Sequence, residues 1–304
     1  MRLINIILIL AIVLLVSGVE QCPVSSQGGF GGGGTESQAS KSGVDATVVS
    51  GIGYFSQGMQ LNQDDTFKIV LNIENYDKTE KKGTICVKDN QDDAYGGILV
   101  SGDCTQFSVP AADYQGDVMT RMASQRVAFP MDGEYIYHDV PITSDGKIFI
   151  TLSYVQHSAA QGLVNVPEPA EESISIILPP SPISLKVDKT VSKQQSQYKA
   201  SLGITLEKSA DENTKFYTED MANENSIKVS LKLSPSPSSS GYTLDCTQLS
   251  GQQGIINMES TKFIKCSSLL PLETTSYPLL IYMDYGVKIT KTLDFKIKAK
   301  EEIK

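Results

Sequence analysis

Hydrophobic and polar residues alternate along much of the chain beyond residue 43. The alternation has a period of two, which is the spacing of a β-strand that buries one face. Turn-forming residues separate the alternating segments about every ten positions, as in β-sandwiches and barrels. The pattern predicts an all-β fold and is clearest in five segments: residues 67–74, 147–154, 173–176, 228–233 and 292–298.

The first residues have a different pattern. An apolar run, residues 4–16 with Asn5 as its one polar residue, follows Arg2 and precedes the small residues Ser17 and Gly18. A cationic start, an apolar core and small residues after it are the parts of a secretory signal. We therefore predict an apolar helix in residues 1–21 that serves as a signal peptide or as a membrane anchor.

Cys22 follows this helix and is a possible lipid anchor. The segment Val16-Ser17-Gly18 resembles the end of a lipoprotein signal, but Val19 stands where the lipid-accepting cysteine should follow, and Cys22 comes only after Glu20 and Gln21. A retained helix is the alternative. From Leu3 to Val19 it would measure about 25 Å, slightly less than the ~30 Å hydrocarbon core. Cleavage, lipidation and retention all stay open.

Composition divides the rest of the chain. Gly and Ser dominate residues 22–43, which predicts a flexible linker. Clustered prolines at residues 179–182 predict a semi-rigid hinge. The resulting organisation has a first β-sandwich domain at residues 44–178, a second at residues 183–300 and a tail at residues 301–304.

Four of the five cysteines form two close pairs, one on each side of the hinge. Cys86 and Cys104 are 18 positions apart, and Cys246 and Cys266 are 20 apart. In an exported chain such pairs predict one disulfide in each domain and an oxidising, extracytoplasmic location. Segments that recur in the same order in both halves support two related domains: residues 67–73 with 198–204, 104–110 with 266–271, and 149–154 with 280–285.

Two segments carry a family resemblance. Residues 69–75 form a strand that ends in Glu-Asn, and residues 277–286 form an apolar strand that ends in Asp-Tyr-Gly. With the strand pattern, these resemble the tandem immunoglobulin-like or CARDB-like modules of archaeal and bacterial envelope proteins. The resemblance implies two tandem immunoglobulin-like β-sandwich domains with a scaffold or adhesion role, and it transfers no catalytic residues. The chain has no tryptophan, so it lacks the Cys–Trp–Cys core of antibody-type domains.

The sequence offers little catalytic chemistry. Its two histidines, His138 and His157, lack metal-ligand spacing, and no Gly-x-Ser-x-Gly segment marks a nucleophile. We therefore predict that the chain is not an enzyme and uses no cofactor.

One acidic cluster is a weak calcium candidate: Asp89, Asp92 and Asp93. Oxygen ligands at alternate positions suit Ca²⁺, and Asp89, Gln91 and Asp93 have that alternation, with Asp92 as a further candidate. However, Ala94 stands where the loop glycine belongs, and Val100 stands where a bidentate Glu is needed. A solvated loop is the competing interpretation.

Charge and length distinguish the predicted domains. Residues 44–178 carry a net charge of −11 and residues 183–304 carry +2. The first domain repels nucleic acid and the second is too balanced to bind it, so no nucleic-acid partner is expected. An extra segment, residues 111–141, lengthens the first domain and contains three possible ligand contacts: Tyr114, Tyr135 and Tyr137.

These features predict a non-catalytic extracytoplasmic surface protein, membrane-tethered or secreted, for envelope structure, adhesion or protein interaction. A solute- or glycan-binding lipoprotein is the alternative hypothesis, and a hydrolase is a lesser third. The predicted partners are the membrane, through the N-terminal segment, and an unknown surface protein or glycan.

Overall fold

The computed structural model describes residues 43–116, 118–166, 171–179, 181–234, 241–272 and 276–299. These residues form β-strands, their connections and one three-residue 3-10 helix, Asp93–Tyr95, so the all-β prediction is confirmed. Within these ranges no helix has the length and apolar character needed to cross a membrane. The predicted N-terminal helix, Cys22, nearly all of the linker and the tail lie outside the described residues.

The strands are numbered in chain order. They are β1 Val44–Val48, β2 Met59–Asn62, β3 Thr66–Phe67, β4 Ile69–Asn75, β5 Lys81–Asp89, β6 Asp103–Val109, β7 Asp113–Gln115, β8 Val118–Arg121, β9 Ala123–Phe129, β10 Tyr135–Ile136, β11 Ser144–Asn165, β12 Glu171–Ile174, β13 Ile176–Ile177, β14 Ile183–Gln194, β15 Gln197–Lys208, β16 Thr214–Tyr217, β17 Ser226–Leu233, β18 Asp245–Cys246, β19 Gln253–Asn257, β20 Lys262–Pro271 and β21 Ser276–Lys298.

Three sheets carry most of the hydrogen bonding. A nine-stranded sheet has the central order β19-β17-β21-β11-β5-β6, with β2 and β16 beside β21 and β13 beside β11. A five-stranded sheet has the order β12-β14-β15-β20-β18, and a three-stranded sheet has the order β1-β4-β9. Two short pairs, β3 with β10 and β7 with β8, complete the set.

The longest pair, β11 with β21, forms the centre of the nine-stranded sheet. It pairs without a break from Ser144 opposite Ile297 to Asn165 opposite Ser276. At about 3.4 Å per residue, the 22 residues of β11 make a ribbon about 75 Å long. Every even-numbered residue of β11 from Ile148 to Ala160 is buried, so one face of this ribbon is covered throughout that stretch.

This ribbon combines the two halves of the sequence in one sheet. The first part of β11 pairs with β5, and the last part of β21 pairs with β2 through Met59 opposite Phe295. The first part of β21 pairs with β17. The final strand thus completes a sheet begun by the first half of the chain. The division into domains at residues 44–178 and 183–300 stays a prediction.

The smaller sheets contact the buried face of the ribbon. In the three-stranded sheet, the Val44 backbone N–H donates to Tyr154 Oη of β11 at 3.3 Å. In the five-stranded sheet, the Pro271 carbonyl accepts a hydrogen bond from Tyr277 Oη of β21 at 2.9 Å. Buried apolar side chains of all three sheets form one core. Two layers enclosing one core are consistent with β-sandwich packing.

Candidate functional site

Tyr135 and Tyr137, two of the predicted ligand contacts, pack against Phe67 of the core. Tyr137 is 1% exposed and stacks on Phe67 with 5.6 Å between ring centroids, and its Oη donates to Asp89 Oδ2 at 2.5 Å. Tyr135 also contacts Phe67 and donates to Asp103 Oδ2 at 2.8 Å. Burial raises the pKa of both phenols, so both stay protonated and act as hydrogen-bond donors.

The third predicted tyrosine lies on a different part of this half. Tyr114 Oη donates to the Tyr76 carbonyl at 2.6 Å, and Lys78 Nζ lies 4.9 Å from the Tyr114 ring centroid. The structure brings Tyr135 and Tyr137 together around one phenylalanine and places Tyr114 by itself. Ligand contact by these residues stays a prediction.

The acids proposed for calcium each accept hydrogen bonds from backbone N–H groups. Asp89 accepts from Gln91 at 3.0 Å, and burial raises its pKa. Asp92 caps the 3-10 helix by accepting from Ala94 at 3.0 Å, and Asp93 accepts from Val100 at 2.7 Å. Across the described ranges, no group of three or more His, Cys, Asp or Glu residues has metal-binding geometry. Calcium binding stays a prediction.

Both histidines are exposed and lie beside an acid, which is exposed in the case of Asp64 and half-buried in the case of Asp284. His138 Nδ1 is 3.3 Å from Asp64 Oδ1, and His157 Nδ1 is 2.8 Å from Asp284 Oδ1. His157 and Asp284 are directly opposite in the β11–β21 ribbon, so strand register alone brings them together.

The two predicted disulfides are present, each between directly opposed residues of neighbouring strands. Cys86 of β5 bonds to Cys104 of β6, and Cys246 of β18 bonds to Cys266 of β20. They indicate an oxidising, extracytoplasmic environment. They do not occupy corresponding places, because the first lies in the nine-stranded sheet and the second in the five-stranded sheet.

A buried polar cluster interrupts the covered face of the ribbon at its centre. Gln156 Nε2 donates to Asp77 Oδ2 at 2.8 Å, and the same oxygen pairs with Lys81 Nζ at 2.8 Å. Opposite Gln156, the Tyr285 hydroxyl lies 3.1 Å from Ser181 Oγ, and burial raises the pKa of Tyr285 to about 12. Buried hydrogen bonds therefore join the turn after β4, the ribbon and the segment before β14.

The outward-facing side of the five-stranded sheet carries a site that the sequence analysis missed. We call the outward side chains of β14, β15 and β20 the outer face. Asp188, Gly203 and Lys265 stand opposite one another on three neighbouring strands. Phe263, 52% exposed, extends its ring end over Gly203: a Cβ there would lie 2.9 Å from Phe263 Cε2 and Cζ.

Two apolar residues at solvent-facing positions of β20 could have indicated this site from the sequence. Ile264, Cys266 and Leu270 alternate into the core, so the apolar residues Phe263 and Leu269 fall on the solvent side of the same strand. Exposed apolar residues in an otherwise regular alternating strand mark a surface that differs from an ordinary solvated face.

Comparisons with known proteins include a distant structural similarity. No family model matches the chain, and no curated protein matches it. A comparison with solved structures finds similarity to the crystal structure of red sea bream transglutaminase, at TM-score 0.20 and 9% sequence identity. The match covers 83% of this chain, which spans only 31% of the length of that structure.

This comparison corrects one prediction. The chain was expected not to be an enzyme, but the similar structure is that of an enzyme, so the exclusion of catalysis is withdrawn. A TM-score of 0.20 assigns no reaction to this chain, and no catalytic residue is transferred.

Proposed function

We propose that the protein is an extracytoplasmic surface protein, tethered to a membrane or secreted, that acts in envelope structure, adhesion or protein interaction. The observation that carries the proposal is the combination of the β11–β21 ribbon with two cross-strand disulfides. The ribbon is about 75 Å long, is flanked by further strands and is buried on one face from Ile148 to Ala160. Such a module suits a surface spacer or scaffold.

The fold assignment within this proposal is a pair of immunoglobulin-like sandwiches of the CARDB-like class. The all-β composition and the packing of sheet on sheet support the sandwich part of this assignment. The shared ribbon distinguishes this chain from two sandwiches joined only by the segment at residues 179–182.

Location is tested by protease treatment of intact source cells. We expect proteinase K under reducing conditions to degrade the protein while a cytoplasmic marker survives. Detergent partition of the wild type and of Cys22→Ser then separates lipid tethering from a retained helix. Protection from protease until the cells are lysed would contradict the surface assignment.

A second candidate function is the binding of a glycan or other solute. The specific observation in its favour is the half-exposed Phe263 ring among polar side chains on the outer face. An apolar surface with a few convergent polar groups is the usual composition of a ligand site.

A further inference from the structure

We propose that the outer face binds a neutral hexose-based glycan, with the Phe263 ring as its stacking surface. The inference rests on the second candidate function and adds a site, a ligand class and residue roles to it.

Phe263 differs in exposure from other aromatic rings that lie over a strand glycine. Among the described residues, an aromatic ring also lies over a strand glycine at Gly83, covered by Phe107, and at Gly146, covered by Phe295. Those two rings are 3% and 4% exposed and belong to the core. Phe263 has the same relation to Gly203 but lies 52% exposed on the outer face. Core packing therefore explains the first two rings and leaves the third open to solvent.

Charged side chains flank the position of the Phe263 ring. Asp188 and Lys265 flank Gly203 on its two neighbouring strands, which places their Cα atoms about 10 Å apart. Asp188 accepts from Ser173 Oγ at 2.5 Å and pairs with Lys186 at 3.0 Å; these contacts lower its pKa, so it stays ionised. A carboxylate acceptor and an ammonium donor thus stand on opposite sides of one apolar surface.

The chemistry of a hexose matches the chemistry of this surface. A hexose ring has an apolar C–H surface and hydroxyl groups around its edge that both donate and accept hydrogen bonds. The C–H surface suits the phenyl ring, whereas the hydroxyls suit Asp188, Lys265 and the neighbouring hydroxyls of Thr190 and Ser201. Because acid and base are both present, the face favours a neutral ligand over a polyanion.

The outer face extends along β20 beyond the depression at Phe263. The depression beside Phe263 has a volume of about 240 Å³. A second, of about 540 Å³, includes Leu269 further along β20. Six residues of strand separate Phe263 from Leu269, a distance of about 20 Å. This length accommodates several linked sugars, so the proposed ligand is a chain and not a single sugar.

The experiment is affinity electrophoresis of the folded protein in gels containing dextran, mannan or a mixed-linkage β-glucan, with heparin as the charged comparison. We expect at least one neutral polysaccharide to retard the wild type. Phe263→Ala should raise its dissociation constant about tenfold, because the apolar contact is lost. Asp188→Asn should weaken binding by a smaller factor, and Phe263→Tyr should retain it.

Phe263→Leu separates stacking from a structural role, because it keeps apolar bulk over Gly203 but removes the flat ring. We expect it to bind as weakly as Phe263→Ala while its melting temperature stays near that of the wild type. Ile255→Ala is the matched control, since Ile255 is 62% exposed on β19 of the other large sheet.

Two outcomes distinguish an error in the proposed site from an error in the second candidate function. If the wild type binds a neutral polysaccharide and the Phe263 variants bind equally well, the site is wrong and glycan binding stands. If no neutral polysaccharide retards the wild type, or only heparin does, both the site and the second candidate function are overturned.

Discussion

The two disulfides have nearly the same local geometry and opposite environments. Their cysteines are 18 and 20 positions apart, with Cα–Cα distances of 4.1 and 4.0 Å, and each ties a strand at the end of a sheet order to its neighbour. Cys246 and Cys266 are 6% and 1% exposed and belong to the core, whereas Cys104 is exposed and Cys86 half-buried. Similar spacing in the sequence therefore does not imply similar burial of the two disulfides.

The largest expected effect separates the two bonds by stability. Replacing Cys246 and Cys266 together by Ser should lower the unfolding free energy by about 5 kcal/mol: about 3 from the lost loop closure and about 2 from two buried hydroxyls. The matched double variant, Cys86→Ser with Cys104→Ser, should lose only the closure contribution of about 3 kcal/mol. Urea unfolding of both variants measures the difference, and equal losses would remove the contrast.

The second expected effect is the order of reduction. A dithiol reductant needs access to a sulfur atom, so the outward bond should react first under native conditions. We expect dithiothreitol followed by alkylation and mass mapping to label Cys86 and Cys104 at least tenfold faster than the core pair. Labelling of Cys246 and Cys266 at the same rate would show that the core opens as readily as the surface.

The third expected effect is local. Once only the outward bond is reduced, amide hydrogen exchange should rise in β6, which ends the nine-stranded order beyond β5. Exchange in β15 and β20 should stay slow, because their sheet keeps its own disulfide. A rise throughout the chain would mean that the outward bond supports the whole fold.

The smallest expected effect compares neighbours of the two bonds. Ser268, two residues from Cys266, is buried and donates to the Thr243 carbonyl at 2.8 Å. Ser268→Ala should lower stability by about 1 kcal/mol, because it leaves that carbonyl without this donor. Thr84, two residues from Cys86, is exposed, so Thr84→Ala should change stability by about 0.5 kcal/mol or less. Thermal unfolding resolves the pair, and a reversed order would contradict the assignment of faces.

The alternation of apolar and polar residues in the sequence indicates whether each disulfide faces the core or the solvent. Ile85 and Val87 enclose Cys86, so a strand that buries them must turn Cys86 outward. Cys266 instead lies in phase with Ile264 and Leu270, which turns it inward. Strand type and the face that each cysteine occupies thus follow from period-two patterning.

Other features depend on contacts between distant segments. Tyr137 stood out as an aromatic residue in an extra segment, but its partner Asp89 lies 48 residues earlier and only the tertiary fold brings them together. The buried Lys81–Asp77–Gln156 contacts likewise combine β5, a turn and β11. Local alternation carries no information on such partners.

The shared ribbon also determines when the fold can be completed. Met59 in β2 pairs with Phe295 in β21, so the nine-stranded sheet stays incomplete until β21, Ser276–Lys298, has been made. Pairing at this sequence separation is entropically demanding and slow. The strands of the first half therefore cannot complete this sheet before β21 has been made, and its completion involves both halves at once.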